Sequence, residues 1–287
     1  GRGRISDVVA ALGYVILNKH PLNIRIVNLS IGTGVYESYH RDPLTLAAQR
    51  AVAAGIVVVA SAGNYGRDPD GQTRYGGITA PGNAPWVLTV GGTSHMGTET
   101  RGDDTIAAFS SRGPTAIDRA AKPDLVAPAV GIESLSDPNS AFYTSRSPYL
   151  LGGTTPTAYL PYLSLSGTSM AAPTVAGTIA LMLQANPSLT PGQVKTILQG
   201  TAENYAAYDR LTQGAGFLDA QHAVEFAQAF RGGPAWTGFA FVCADPTCGG
   251  FTLGSLLGAD GIAGTADDET LVWGMDGGDT VGWGMGG

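Results

Sequence analysis

The sequence predicts an α/β fold, a parallel sheet with helices on both faces, followed by a glycine-rich extension. Helix-type and strand-type patterns alternate along most of the chain, as they do when helices cover a parallel sheet. The run Ile56-Val57-Val58-Val59-Ala60 is apolar on both faces, which suits a strand covered on both sides. Two strand ends then run into small residues, Ser30-Ile31-Gly32 and Ser61-Ala62-Gly63-Asn64. Sheets of this class place ligands at the carboxyl ends of their strands.

Taken in order, Ser6 or Asp7 is expected to cap a first helix with Val8, Val9, Leu12, Val15 and Ile16 on one face. Asn18 to Asn23 reads as a turn and Ile24 to Ser30 as a strand. Asp42 and Pro43 form an N-cap and N1 pair for a helix reaching about Ala54, which Gly55 ends. Strands are expected at Ile56–Ala60, Val87–Val90 and Asp124–Ala127. A small, apolar stretch from Ala171 to Ala185 predicts a buried helix, and Thr190-Pro191 opens another that carries Val194, Ile197 and Leu198. After about Arg231 Pro, Gly and small polar residues dominate. There Trp273-Gly274-Met275 recurs as Trp283-Gly284-Met285, a two-copy repeat.

Composition narrows the function classes. A net charge of -7 with no basic cluster argues against nucleic-acid binding. The longest mainly apolar run, Ala51 to Gly63, is too short to span a bilayer. Two cysteines, Cys243 and Cys248, make no disulfide framework, although the pair closes a small disulfide if the protein is extracellular. The Gly-punctuated acidic loop Asp260–Glu269 is compatible with Ca²⁺ but lacks EF-hand spacing, and a solvated turn suits it better.

The chemistry concentrates in Ser164-Leu165-Ser166-Gly167-Thr168-Ser169-Met170-Ala171-Ala172-Pro173. A tight turn at Gly167 delivers Ser169 onto a helix start, where N–H groups and the dipole favour developing negative charge. A hydroxyl on a buried, rigid support is what a nucleophile needs, and an N-cap serine is the plainer alternative. Asn64 supplies a side-chain amide of the kind that stabilises a tetrahedral oxyanion together with the nucleophile's own N–H.

These segments resemble the subtilisin-like serine peptidases (subtilases) over roughly Gly1 to Ala229. Gly-Thr-Ser-Met-Ala-x-Pro is similar to that family's nucleophile motif, and Ser61 to Gly66 to its oxyanion loop. The resemblance implies that Ser169 is the nucleophile and Asn64 the oxyanion donor, with Thr168 adding a weaker donor. It implies that Ser30, Ile31 and Gly32 pair with an extended peptide, and that Gly1 and Gly3 are candidates for a facing strand. Ala62 and Gly63 would floor the pocket for the residue preceding the scissile bond, leaving room for a bulky side chain. Phe109–Pro114 and Lys122–Pro128 resemble family scaffolding.

One departure matters. A hydroxyl nucleophile needs a histidine base oriented by a carboxylate, and neither the family's Asp-Thr/Ser-Gly nor its His-Gly-Thr occurs here. None of His20, His40, His95 and His222 has the family context. The expectation is therefore that residues 1–231 form the C-terminal portion of a catalytic domain, N-terminally truncated, with the Asp and His encoded upstream of Gly1. Residues 232–287 would be a linker and Trp-Gly repeat extension. By this reading the chain comes from a serine endopeptidase that cleaves extended polypeptide through an acyl-enzyme at Ser169, while these residues alone are practically inactive. No cofactor is required for the chemistry, no metal ligands are assigned, and a structural calcium is left open. The protein is expected to be a secreted monomer. The main rival is a catalytically dead, peptide-binding member of the same fold. A third reading gives the biological work to the Trp-Gly extension.

Overall fold

The computed structural model describes residues 3–230 and, further on, the backbone of a short antiparallel pair at 241–243 and 251–253. The first helix, α1 (Ile5–Leu17), starts ahead of the Ser6/Asp7 cap expected from sequence; its N-cap is Arg4, which is extended and makes no side-chain cap. Asp7 lies instead in the first turn, where a carboxylate suits the helix dipole. The strand β1 (Ile26–Leu29) follows, then α2 (Pro43–Ala53). Asp42 caps α2 as expected, its Oδ1 accepting from Leu44 N at 2.7 Å and Thr45 N at 3.4 Å. Next come β2 (Val57–Ser61), β3 (Leu88–Ser94), the two-residue β4 (Thr105–Ile106) and β5 (Leu125–Pro128).

Strands β1, β2, β3 and β5 lie side by side in that order and run parallel, while β4 joins the far end of β3 antiparallel. Successive side chains of a strand point to opposite faces. On β2, Val58 and Ala60 pack with Leu12 of α1 and Leu44, Ala48 and Ala51 of α2. Val57 and Val59 therefore face the other side, against the long helix α4 (Thr168–Ala185), which runs under β1, β2, β3 and β5. Helices on both faces follow from this alternation. The register matters for what comes next: Leu29 pairs with Ala60, and Ser61 with Val90. Ser30 and Ala62–Asn64 therefore leave the sheet next to one another.

Between β5 and α4 lies a second sheet that the sequence reading did not anticipate. It comprises β6 (Ile132–Leu135), β7 (Leu150–Leu151) and β8 (Tyr162–Leu165), antiparallel in the order β6-β8-β7, with the short helix α3 (Ala141–Ser145) between β6 and β7. Its strands alternate poorly and are mostly half-exposed, so they carry little of the periodic signal that marks a strand in sequence. The helices α5 (Pro191–Thr201), α6 (Arg210–Gln213) and α7 (Ala220–Ala229) complete the described core. Thr190 and Gln193 form a reciprocal capping box at the start of α5. Beyond residue 230 the described backbone is the antiparallel pair β9 (Phe241–Cys243) and β10 (Phe251–Leu253). The Cys243–Cys248 bridge, the Asp260–Glu269 loop and the Trp-Gly repeat lie outside the described residues.

A buried ionic cluster ties the scaffold together. Asp124, at the entry to β5, receives Lys122 Nζ on Oδ2 at 2.6 Å and Lys195 Nζ of α5 on Oδ1 at 2.8 Å. Thr89 N of β3 donates to the same Oδ2 at 2.7 Å. Lys122 Nζ also donates to Val87 O at 2.8 Å, and Lys195 Nζ to Pro85 O at 2.8 Å. Burial pushes the Asp124 carboxyl up, but Lys122 and Lys195 outweigh it and hold it below its ordinary value. A carboxylate depressed on folding contributes stability above its unfolded pKa and loses it as pH falls through the lower folded value. In the full-length protein, Asp124→Asn should cost about 3–5 kcal/mol at neutral pH, because the buried Lys122 and the half-buried Lys195 both lose their carboxylate partner. The deficit should narrow below the ordinary carboxylate value of 3.8. Thermal melts of both proteins across this range check the point; a deficit independent of pH would contradict it.

Candidate active site

The site begins where β8 hands over to α4. Gly167, the helix N-cap, sits at φ 152°, ψ 157°, a conformation open to glycine and rare for other residues. Its N–H donates to Ala129 O at 2.8 Å, fixing the turn to the loop after β5. Ser169 is thereby the second residue of α4 and half-buried. Its N–H belongs to the first turn, where no preceding helical carbonyl is in place to receive it. Ser169 Oγ donates to Ser30 O at 3.2 Å, and Ser30 Oγ donates to Ser169 O at 2.7 Å.

Asn64 approaches from the end of β2 through Gly63, whose φ of +103° turns the chain sharply. Thr168 N and Thr168 Oγ1 both donate to Asn64 Oδ1, each at 3.0 Å. The backbone N–H is purely a donor, so this end of the amide is its oxygen. The amide nitrogen faces the other way, 3.4 Å from where a Cβ on Gly167 would stand. An NH₂ group and the Ser169 N–H are thus presented around the same helix start, an arrangement that can receive an oxyanion. Thr168, expected as a weaker donor, directs its hydroxyl at Asn64 in this structure. Its hydroxyl is buried, accepts from Gly63 N at 3.2 Å and gives its proton to Asn64. It positions the amide.

Ser30, Ile31 and Gly32 follow β1 alongside this cluster. Ile31 is exposed, and its carbonyl accepts from Ser61 Oγ at 3.4 Å. Gly32 is exposed as well, with no backbone partner among the described residues before Thr33 pairs with Ala80. Ala62 is fully buried and its carbonyl accepts from Thr79 N at 3.0 Å and Thr79 Oγ1 at 3.3 Å. That bond turns the Thr79 side chain into the gap between two glycines. A Cβ on Gly32 would overlap Thr79 Oγ1, and one on Gly63 would lie 2.8 Å from Thr79 Cγ2. Thr79 therefore fills the space beside the α-carbons of Gly32 and Gly63. Sequence reasoning missed this residue because it belongs to no motif and lies well downstream of Gly63. Gly3 is exposed with open space around it and leads through extended Arg4 into α1. Gly1 lies outside the described residues.

The histidines are elsewhere. His20 and His40 are exposed, with the His40 ring tilted against Tyr39 and near Trp86. His95 Nδ1 accepts from Gly97 N at 3.1 Å. His222 does have an orienting carboxylate, its Nδ1 2.6 Å from Asp219 Oδ2, and the bond from Asp219 raises its pKa. Asp219 is the N-cap of α7, however, and the partner of Ser169 Oγ is Ser30 rather than any histidine. Among the described residues, no group of three His, Cys, Asp or Glu could hold a metal ion. No helix among them is long and apolar enough to cross a membrane.

Comparisons with known proteins agree on one family. The model of the subtilase family matches residues 1–218. Serine protease AprX of Bacillus subtilis (strain 168) is 38% identical over 229 residues, which cover 78% of this chain and 49% of that protein. Subtilisin DY of Bacillus licheniformis is 30% identical over 225 residues, covering 78% and 64%. Among solved structures, sphericase superposes with a TM-score of 0.57 at 24% identity, covering 76% of this chain and 64% of that chain. Fervidolysin from Fervidobacterium pennivorans, described as a keratinolytic enzyme related to subtilisin, does so at 0.56 and 27% identity, covering 77% and 29%. The chain spans 49% of the length of the first of these curated relatives and 64% of the second.

If Thr168 holds Asn64 in place, Thr168→Val in the full-length protein should lower kcat on a peptide substrate about tenfold with KM within about twofold, less than the full loss of a donor. Steady-state kinetics check this, and an unchanged kcat would remove Thr168 from the positioning role.

Proposed function

This chain belongs to the subtilase family, and from that premise we propose that it is the C-terminal part of the catalytic domain of a serine endopeptidase. The observation that carries the proposal is the meeting of Ser169, at the start of a buried helix, with an Asn64 amide whose oxygen is already engaged. In this reading an extended polypeptide adds its backbone along Ser30–Gly32. Ser169 Oγ attacks the scissile carbonyl as a histidine takes its proton, and the oxyanion is received by Asn64 Nδ2 and the Ser169 N–H. The intermediate collapses, the histidine protonates the departing amine, and water then releases the acyl group from Ser169 by the same steps.

Both the histidine and the aspartate that orients it are assigned to sequence upstream of Gly1, and residues 1–231 alone are practically inactive. Residues 232–287 are assigned to a linker and Trp-Gly repeat extension. Secretion as a monomer suits a glycine-rich chain of low charge. The competing reading, a peptide-binding protein without catalysis, draws on the absence of a histidine beside Ser169 among the described residues.

Two experiments on the full-length protein test the proposal. Asn64→Ala should lower kcat by about 10²–10³, the loss recorded when a subtilisin gives up its oxyanion-hole asparagine. An active wild type unaffected by that change would dissociate Asn64 from catalysis, and an inactive wild type would favour the binding protein. Thr79 further limits the residue preceding the scissile bond to small side chains. Matched peptides with Ala or Phe at that position should differ at least about tenfold in kcat/KM in favour of Ala. Thr79→Ala should shrink the ratio, and a wild-type preference for Phe would refute the assignment.

A further inference from the structure

Pro173 lies inside α4, four residues after Ser169. In an α-helix the N–H of residue i+4 donates to the carbonyl of residue i, and proline has no N–H. The Ser169 carbonyl is therefore deprived of its helical donor at the one residue whose placement the chemistry depends on. The structure shows what replaces it: Ser30 Oγ donates to Ser169 O at 2.7 Å. The substitution is geometrically complete, because Ser30 Oγ is itself held, accepting from Asn28 Nδ2 at 2.9 Å. The pair is also reciprocal, since Ser169 Oγ returns a bond to Ser30 O at 3.2 Å.

We infer that the Ser30 hydroxyl is a positioning residue for Ser169, standing in for the N–H that Pro173 lacks and pinning the nucleophile's backbone to the end of β1. This rests on the reading of Ser169 as nucleophile and adds to it a role for a side chain whose backbone alone was assigned to substrate. The consequence is a mechanical coupling. The strand that aligns the peptide and the residue that attacks it share two hydrogen bonds, so neither shifts without the other. A serine held only by its own helix would follow that helix, whereas this one is referenced to β1.

The inference predicts an interaction between two residues that the bonding pattern links through one carbonyl. Ser30→Ala leaves the backbone available to substrate but removes the donor. It should lower kcat about tenfold while leaving KM nearly unchanged, the pattern of an interaction that matters in the transition state. Pro173→Ala restores an N–H to the helix at the position where the Ser169 carbonyl can receive it. In that background, Ser30→Ala should cost no more than about twofold, a coupling that additive, independent sites do not show.

The experiment is a double-mutant cycle in the full-length protein, reading kcat and KM on a peptide substrate and the rate of fluorophosphonate labelling. Thermal melts run alongside, because a merely structural role would lower stability without the kinetic rescue. An equal loss from Ser30→Ala in both backgrounds overturns the inference, as does no loss in the wild-type background. Wild type that neither labels nor cleaves overturns the nucleophile reading and this inference together. Wild type that labels normally but shows no coupling overturns this inference alone.

Discussion

A helix that starts inside a protein presents N–H groups with no helical acceptor, and the way those of α4 are engaged organises the whole site. Thr168 N finds Asn64 Oδ1, and Gly167 N finds Ala129 O. The first bond brings in the residue that follows β2, and the second brings in the loop after β5. Ser169 N belongs to the same first turn, where the helix offers it no acceptor, and such an N–H suits a developing oxyanion. Removing the Thr168–Asn64 contact would leave both a buried hydroxyl and an amide without fixed direction. The chemistry therefore depends on an ordinary requirement of helix termini.

The sheet explains why these partners are within reach. Its parallel register sets the exits of β1 and β2 beside each other, so Ser30 and Asn64 come to the helix start from neighbouring strands. At the entry end of β3 and β5 the Lys122–Asp124–Lys195 cluster joins those two strands and α5 through one carboxylate. Breaking a buried cluster like this is costly because an uncompensated charge remains inside. Support and site thus occupy opposite ends of one sheet, the ionic cluster at the entries of β3 and β5 and the glycine-rich site at the exits of β1 and β2.

Much of this was legible in the sequence because it rests on local chemistry. The Gly167–Pro173 run, the Ser61–Asn64 loop, the Asp42-Pro43 helix start and the doubly apolar β2 each declare themselves within a few residues. What escaped depends on contacts between distant segments. Thr79 fills the gap between Gly32 and Gly63 because a hydrogen bond to Ala62 O turns it there. The bond from the Thr168 hydroxyl to Asn64 joins two segments more than a hundred residues apart. The antiparallel sheet of β6, β7 and β8 is too exposed to show a clean alternation. Pro173 belongs to a recognisable motif, yet its effect on the Ser169 carbonyl depends on Ser30, which comes from a distant strand end.

The most direct measurement is to treat the full-length protein with a fluorophosphonate and locate the adduct by peptide mass spectrometry. The account predicts a single modified residue, Ser169, with no adduct after Ser169→Ala. A folded protein that takes up no reagent, or carries it on another serine, would contradict the assignment of Ser169 as an activated nucleophile.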